Sequence, residues 1–186
     1  LYERVTPGVL RCVIGHECGH IQNQHGIYDM LKQILVAAGT SAAGLLSVQL
    51  MNLMTQGVQF LLNAWSRAAE VTCDRAGMIC SERVEDAYNV NAKLLYGAAI
   101  GDKETVNLEA LKKQLEMQMG TLVRLEELFA DHPAAVRRIM AEMEFARCEV
   151  FYRWRPELKE AGQSACTKEE TDERCRRYVD VIRKGK

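Results

Sequence analysis

Helix breakers and sheet formers are scarce in this sequence. Three prolines in 186 residues and 6% aromatics, beside eight Met and many Ala and Leu, point to a mainly α protein. No segment of useful length alternates in the manner of a strand, and no internal repeat is visible. An excess of charge is also missing. Lys+Arg is 24 against Asp+Glu 25, a net charge of −1, which removes the electrostatic case for nucleic acid as the main partner. The seven cysteines include no C-x-x-C pair, which argues against a Cys-rich zinc knuckle. Free thiols in a reducing compartment are the default for that odd number; a Cys166–Cys175 loop in an oxidising compartment is the alternative. There is no initiator Met and no signal peptide, and Leu1 leads almost at once into the most informative motif. The chain is therefore expected to be a piece of a longer protein that lacks upstream structure. With 48% hydrophobic and 26% charged residues, a disordered or collagen-like chain is excluded.

Charge is absent altogether from Gln33 to Ser66. Ile34 to Val48 is almost wholly apolar or small, and amides recur from Gln49 to Asn63. Ile34 to Met54 is about long enough for a spanning helix, which needs roughly 20 apolar residues, but it contains Gln49 and Asn52. Two readings stand: buried or membrane-dipping helices, or a soluble helical hairpin over 33–66 whose apolar surface could meet a partner. Localisation is cytoplasmic or membrane-associated on this reading. Further helices are expected over Val5–Gln24, capped by Thr6 with Pro7 at the first position, and over Leu61–Cys80 and Glu85–Ala99. The pattern continues with Glu104–Met119, Leu122–Phe129 and Pro133–Val150. Arg155-Pro156 marks a linker. Beyond it, 156–186 reads as a charged helical extension, with Thr167 and Glu170 forming a capping box at the start of Thr167–Ile182.

His16-Glu17-Cys18-Gly19-His20 is an H-E-x-x-H motif inside the first helix. Residues four apart share a helical face, so both imidazoles can reach one metal ion, with Glu17 able to project towards a water on that metal. Zinc needs a third protein ligand and an open position. Asn23 and Gly26 stand where a metzincin needs Gly and His, which excludes that class. His25 lies five residues beyond His20 and points away from the motif's face while the helix continues; it reads as helix-end packing or surface. Glu70 is the first Glu after the motif. Glu70 and Asp74 share a face four apart, which suits a ligand and a carboxylate that orients a ligating His. The plainer reading is an intrahelical pairing with Arg67 or Arg75 on a solvated face.

Three spaced segments carry a family resemblance. Leu10 to Ile21, Ser66 to Gly77 (S-R-A-A-E-V-T-C-D-R-A-G) and Asp131 to Ile139 (D-H-P-A-A-V-R-R-I) resemble the zinc metallopeptidases grouped with the bacterial protease HtpX and the CAAX prenyl proteases, a branch of the gluzincins. The resemblance covers roughly Leu1 to Ile139 and implies a helical zincin-type domain over 1–155, one zinc ion per chain and a peptide or protein substrate. It implies that His16, His20 and Glu70 bind zinc, that Glu17 is the general base and acid, and that Asp74 supports the ligands. His132 and Arg138 would lie near the cleft, His132 steadying the oxyanion and Arg138 there or pairing with an acid. Cys73 replaces the family's usual Ala and Cys18 its common Leu; Cys73, close to the metal-facing side, could bind or regulate zinc. Strands that line the family's cleft would lie before Leu1. The resulting expectation is a zinc-dependent endopeptidase with a possible part in protein quality control. The alternative is a non-catalytic helical interaction module with a structural or vestigial zinc site.

Overall fold

A computed structural model describes residues 6–41, 48–96 and 135–180, with isolated positions between 107 and 117; for parts of 29–55 and for 94–96 it describes the backbone alone. The order is α1 (Pro7–Gln22), α2 (His25–Ser41), α3 (Val48–Cys80), α4 (Val84–Tyr96), α5 (Ala135–Phe145), α6 (Glu149–Trp154), a 3-10 turn at Pro156–Leu158, and α7 (Lys168–Val179). Among the described residues there is no β-strand, only an isolated parallel bridge between Cys148 and Cys166. The mainly α class read from the sequence is therefore what the chain adopts. Most of the helices expected over Glu104–Met119 and Leu122–Phe129 lies outside the described residues.

Local chemistry sets the ends of α1. The Thr6 hydroxyl accepts from the Val9 amide at 3.3 Å, and Pro7 occupies the first turn, where its missing N–H costs nothing. At the other end the Asn23 side chain donates to the Gly19 carbonyl at 2.8 Å. Gln24 then takes φ +55°, the left-handed region that ends a helix, and His25 opens α2. The chain thus turns two residues earlier than the periodicity suggests.

The region 33–66 is not a self-contained hairpin. Its first arm belongs to α2, which starts at His25, and its second arm is the front half of α3, which runs unbroken for 33 residues. The uncharged arm and the Glu70/Asp74 segment are one helix. No proline falls between 48 and 80, and a single glycine such as Gly57 costs only ~1 kcal/mol in a helix interior. No helix among the described residues is long and apolar enough to cross a membrane.

Helix α1 lies antiparallel against α3, Cys12 meeting Gly77 and Gly19 meeting Cys73. The approach is close enough to need glycine. A Cβ on Gly15 would sit 2.7 Å from the Cys80 Cβ, and one on Gly77 would sit 2.8 Å from the Cys12 carbonyl oxygen. Around this pair the core gathers Met78 from α3, Ala87 and Ala92 from α4, Val136, Ile139 and Phe145 from α5, and Phe151 from α6. Helix α7 adds Cys175 and Tyr178 to the same core. Burying a side chain such as Ile139 or Phe151 contributes about 1.5–3 kcal/mol. The capping box at Thr167 and Glu170 forms as its spacing predicts.

Two expectations in the C-terminal part need correction. Pro133–Val150 is not one helix: α5 stops at Phe145 and α6 starts after Cys148. The amide of Glu149 donates to the Cys166 carbonyl and that of Cys166 to the Arg147 carbonyl, both at 2.9 Å, which draws the backbone out of the helical ladder. Nor is Arg155 mere linker. Its guanidinium donates to the carbonyls of Ile79 and Glu82, both at 3.1 Å, and to that of Ser81. It thereby satisfies carbonyl groups at and beyond the C-terminus of α3 that helix geometry leaves open. All seven cysteines are free thiols, with Cys175 bonded to the Ala141 carbonyl at 3.6 Å.

Candidate metal centre

The glycine-tight seam between α1 and α3 aims two imidazoles at one carboxylate. His16 and His20 lie four residues apart on α1, and their Nε2 atoms are 3.1 Å apart. Glu70 reaches in from α3. Its Oε2 is 3.6 Å from His16 Nε2 and its Oε1 3.4 Å from His20 Nε2. Two donors bound at about 2.0–2.1 Å to a tetrahedral zinc ion sit about 3.3–3.4 Å from each other. The distances, 3.1 Å between the nitrogens and 3.6 and 3.4 Å from them to the two oxygens of one carboxylate, are near that size, and two imidazole nitrogens with a carboxylate are a donor set zinc accepts with a position left open. The residues present therefore fit a zinc ion.

A second carboxylate orients the first imidazole. His16 Nδ1 is 3.0 Å from Asp74 Oδ1. An ionised carboxylate only accepts, so Nδ1 carries the proton and donates, and Nε2 presents its lone pair to the centre. Asp74 is in turn clamped from α5: Arg138 Nε donates to Oδ2 at 2.7 Å and Arg138 Nη2 to Oδ1 at 2.5 Å. A third nitrogen, Nη1, is 3.3 Å from Glu70 Oε2. All three residues are buried. Burial alone would push the Asp74 carboxyl up, but the hydrogen bonds from Arg138 and His16 outweigh it and hold its pKa below the ordinary carboxylate value. Burial likewise opposes the Arg138 charge, and the Asp74 and Glu70 carboxylates overcome it.

The other expected residues distribute as follows. Glu17 is exposed, next to His16 on α1. Cys18 is exposed and belongs to neither donor group among the described residues. Arg75, one of the two candidates for an intrahelical pairing, turns instead to Asp172 of α7 at 2.7 Å. His132, with the rest of 131–134, lies outside the described residues.

His25 does not point away from the His16 and His20 rings as an unbroken helix predicts. Because α1 ends at Gln22, His25 is not carried round to the far side. It is buried, its Nδ1 lies 3.0 Å from His20 Nδ1, and its ring meets Trp65 edge-on at 5.2 Å between centroids. Cys73 Sγ is 3.4 Å from the same His25 nitrogen. The signal that could have found this was present: Asn23 and Gly26 flank His25, and both residue types mark helix ends.

Comparison with known proteins fits this geometry. The model of peptidase family M48 matches residues 1–144. The chain belongs to peptidase family M48. The plastoglobule-localized metallopeptidase 48, chloroplastic, of Arabidopsis thaliana is 30% identical over 117 residues, 61% of this chain and 31% of that protein. The chain thus spans about a third of the length of the curated relative it matches. No solved structure matches significantly. M48 membership supports metallopeptidase function in general, and the matched span includes every residue of the α1–α3–α5 centre.

Proposed function

We propose that the chain carries the catalytic centre of a zinc-dependent endopeptidase. The observation that carries this reading is the convergence of His16 Nε2, His20 Nε2 and the Glu70 carboxylate into a triangle with zinc-sized edges. These three residues would hold the ion. When bound, zinc supplies acidification of water and polarisation of a carbonyl oxygen. Glu17 accepts the proton of the attacking water on its carboxylate and delivers it to the departing amine. Its exposure suits a group that must meet substrate. Asp74 fixes the tautomer of His16, and Arg138 holds Asp74 and Glu70 in place against their mutual repulsion. His132 steadies the oxyanion, a role that rests on the family resemblance. The substrate is a peptide or protein bound in extended form.

A setting at a membrane or other apolar surface is part of the proposal. Ile27, Met30, Leu31 and Ile34 on α2, with Val58 and Leu61 on α3, are exposed in the described structure. The name of the relative places that protein at the plastoglobule. Protein quality control is the role that the likeness to HtpX suggests.

The test uses purified chain, its zinc content and a quenched peptide or casein. Wild type should bind one zinc and hydrolyse; Glu17→Gln should keep the zinc and lose hydrolysis; Glu70→Ala should lose most of the zinc. Equal activity in wild type and Glu17→Gln removes Glu17 as the base. An unchanged zinc content in Glu70→Ala removes the third ligand. One bound zinc without any hydrolysis favours a helical interaction module with a structural ion.

A further inference from the structure

Behind the proposed zinc set lies a second group of donors that the peptidase chemistry does not use. His20 has two ring nitrogens. Nε2 faces His16 and Glu70, and Nδ1 faces His25. His25 Nδ1 is 3.0 Å from that nitrogen and 3.4 Å from Cys73 Sγ. One donor atom from each of His20, His25 and Cys73 lies within 4.8 Å of the others. Nitrogens at about 2.0–2.1 Å and a thiolate at about 2.3 Å from a tetrahedral ion are separated by about 3.3–3.6 Å. The two edges that meet at His25 Nδ1, 3.0 and 3.4 Å, are close to that size, and the third, from His20 to Cys73, is within 4.8 Å.

We propose that His20, His25 and Cys73 form a second, sulfur-containing cation site that shares His20 with the first and takes a soft cation such as Cd2+, Cu+ or excess Zn2+. The donor set carries the choice of ion. A thiolate and imidazoles select soft and borderline metals, and nothing in the group offers the oxygens that Ca2+ or Mg2+ needs. The protonation pattern agrees. With His20 Nε2 unprotonated for the first site, its Nδ1 carries the proton and faces His25 Nδ1, and the Cys73 thiol lies against the same nitrogen. A cation entering here takes the place of those two protons. Cys73 becomes a thiolate, His20 a bridging imidazolate, and both protons leave to solvent. Cys73 is fully buried, and burial, reinforced by the charges of Glu70, Asp74 and Glu17, pushes its thiol up to about 12. The convergence of the three donors is what lends the group to cation binding.

The site does not depend on the peptidase reading, and the test separates the two. The purified chain, freed of metal and kept anaerobic, is titrated with Co2+ and followed in the near ultraviolet for sulfur-to-cobalt charge transfer. Wild type should develop that band. Cys73→Ala, a small change in a packed position, should lose it completely while keeping its far-ultraviolet circular dichroism and its remaining cobalt absorption. His25→Gln should lose most of it. Glu70→Ala, which disables only the first set, should keep it. Absence of the band in wild type at any cobalt concentration overturns the proposal, and so does a band that survives Cys73→Ala. A band with unchanged intensity in His25→Gln removes His25 as a ligand and with it the site as drawn. If wild type shows the band while Glu70→Ala does not change the zinc content, the peptidase set falls and this site stands.

Discussion

Replacing Arg138 by Met is the sharpest probe of how the centre is held together. Arg138 makes two charge-assisted hydrogen bonds to Asp74, at 2.7 and 2.5 Å, and a 3.3 Å contact to Glu70. The side chains of Arg138, Asp74 and Glu70 are 9%, 4% and 9% exposed, so water cannot replace the guanidinium. Methionine keeps much of the volume and removes the charge, leaving two buried carboxylates without their cation. Removing one partner of a buried ion pair costs about 3–5 kcal/mol. For a chain of this size each kcal/mol is worth roughly 2–4 °C, so the metal-free variant should melt about 6–20 °C lower at neutral pH. The pH dependence follows from the sign of the shift. In wild type the Asp74 pKa is depressed, so its contribution is present above the unfolded value near 3.9 and is lost as pH falls through the lower folded value. Without Arg138 burial dominates and raises the Asp74 pKa, so the folded variant retains a proton that the unfolded chain releases. The gap between variant and wild type should thus widen as pH rises above about 4 and close as pH falls towards it. Adding Asp74→Asn should return a large part of the lost stability, because the stranded anion is gone. Thermal melts by circular dichroism between pH 4 and 8 read all of this. A loss below about 1 kcal/mol, or no recovery in the double variant, would refute the account of Arg138 as the clamp.

Two further expectations follow from other parts of the core. Glu142 is fully buried on α5; its Oε1 accepts from Asn91 at 2.9 Å and its Oε2 has no hydrogen-bond partner among the described residues. Burial, with the Asp74 charge, holds its carboxyl well above the usual range, so its folded pKa is raised and stability falls as pH climbs past the unfolded value near 4.3. Glu142→Gln should therefore raise the melting temperature at pH 7 and flatten that slope; an unchanged slope in pH-dependent melts would count against it. Gly15→Ala places a Cβ 2.7 Å from Cys80 Cβ, and such overpacking typically costs about 1–3 kcal/mol. Because it pushes α1 off α3, it should also weaken zinc retention against a chelator, whereas Gly26→Ala, with open space around its Cβ, should leave retention as in wild type.

Much of the helical plan was legible because its signals are local. Thr6-Pro7 caps α1, Thr167 and Glu170 build a reciprocal cap, and the spacing of His16 and His20 requires them to share a face. The meeting of Glu70 with those imidazoles was legible through the combination of residue type, four-residue spacing to Asp74 and family likeness. What escaped was decided by tertiary contact. Nothing near Arg155 in sequence says that its guanidinium will meet carbonyls more than seventy residues upstream. Asn91 and Glu142 are likewise joined across 51 positions. The break after Gln22 is a different case: Asn23 and Gly26 signal it locally, but the helical period of the motif, continued past them, places His25 on the wrong side of the helix.

The unbroken run of α3 has a mechanical side. Val48 and Glu70 are joined by a single rod about 33 Å long, at roughly 1.5 Å per residue, with no joint between them. A pull or tilt applied at the uncharged tip is transmitted without slack to the carboxylate at the other end. The pivot is the glycine seam, where the missing side chains of Gly15, Gly19 and Gly77 leave the two helices close together with only short cysteine and alanine side chains between them. Whatever grips the tip therefore holds a lever on the imidazole–carboxylate triangle.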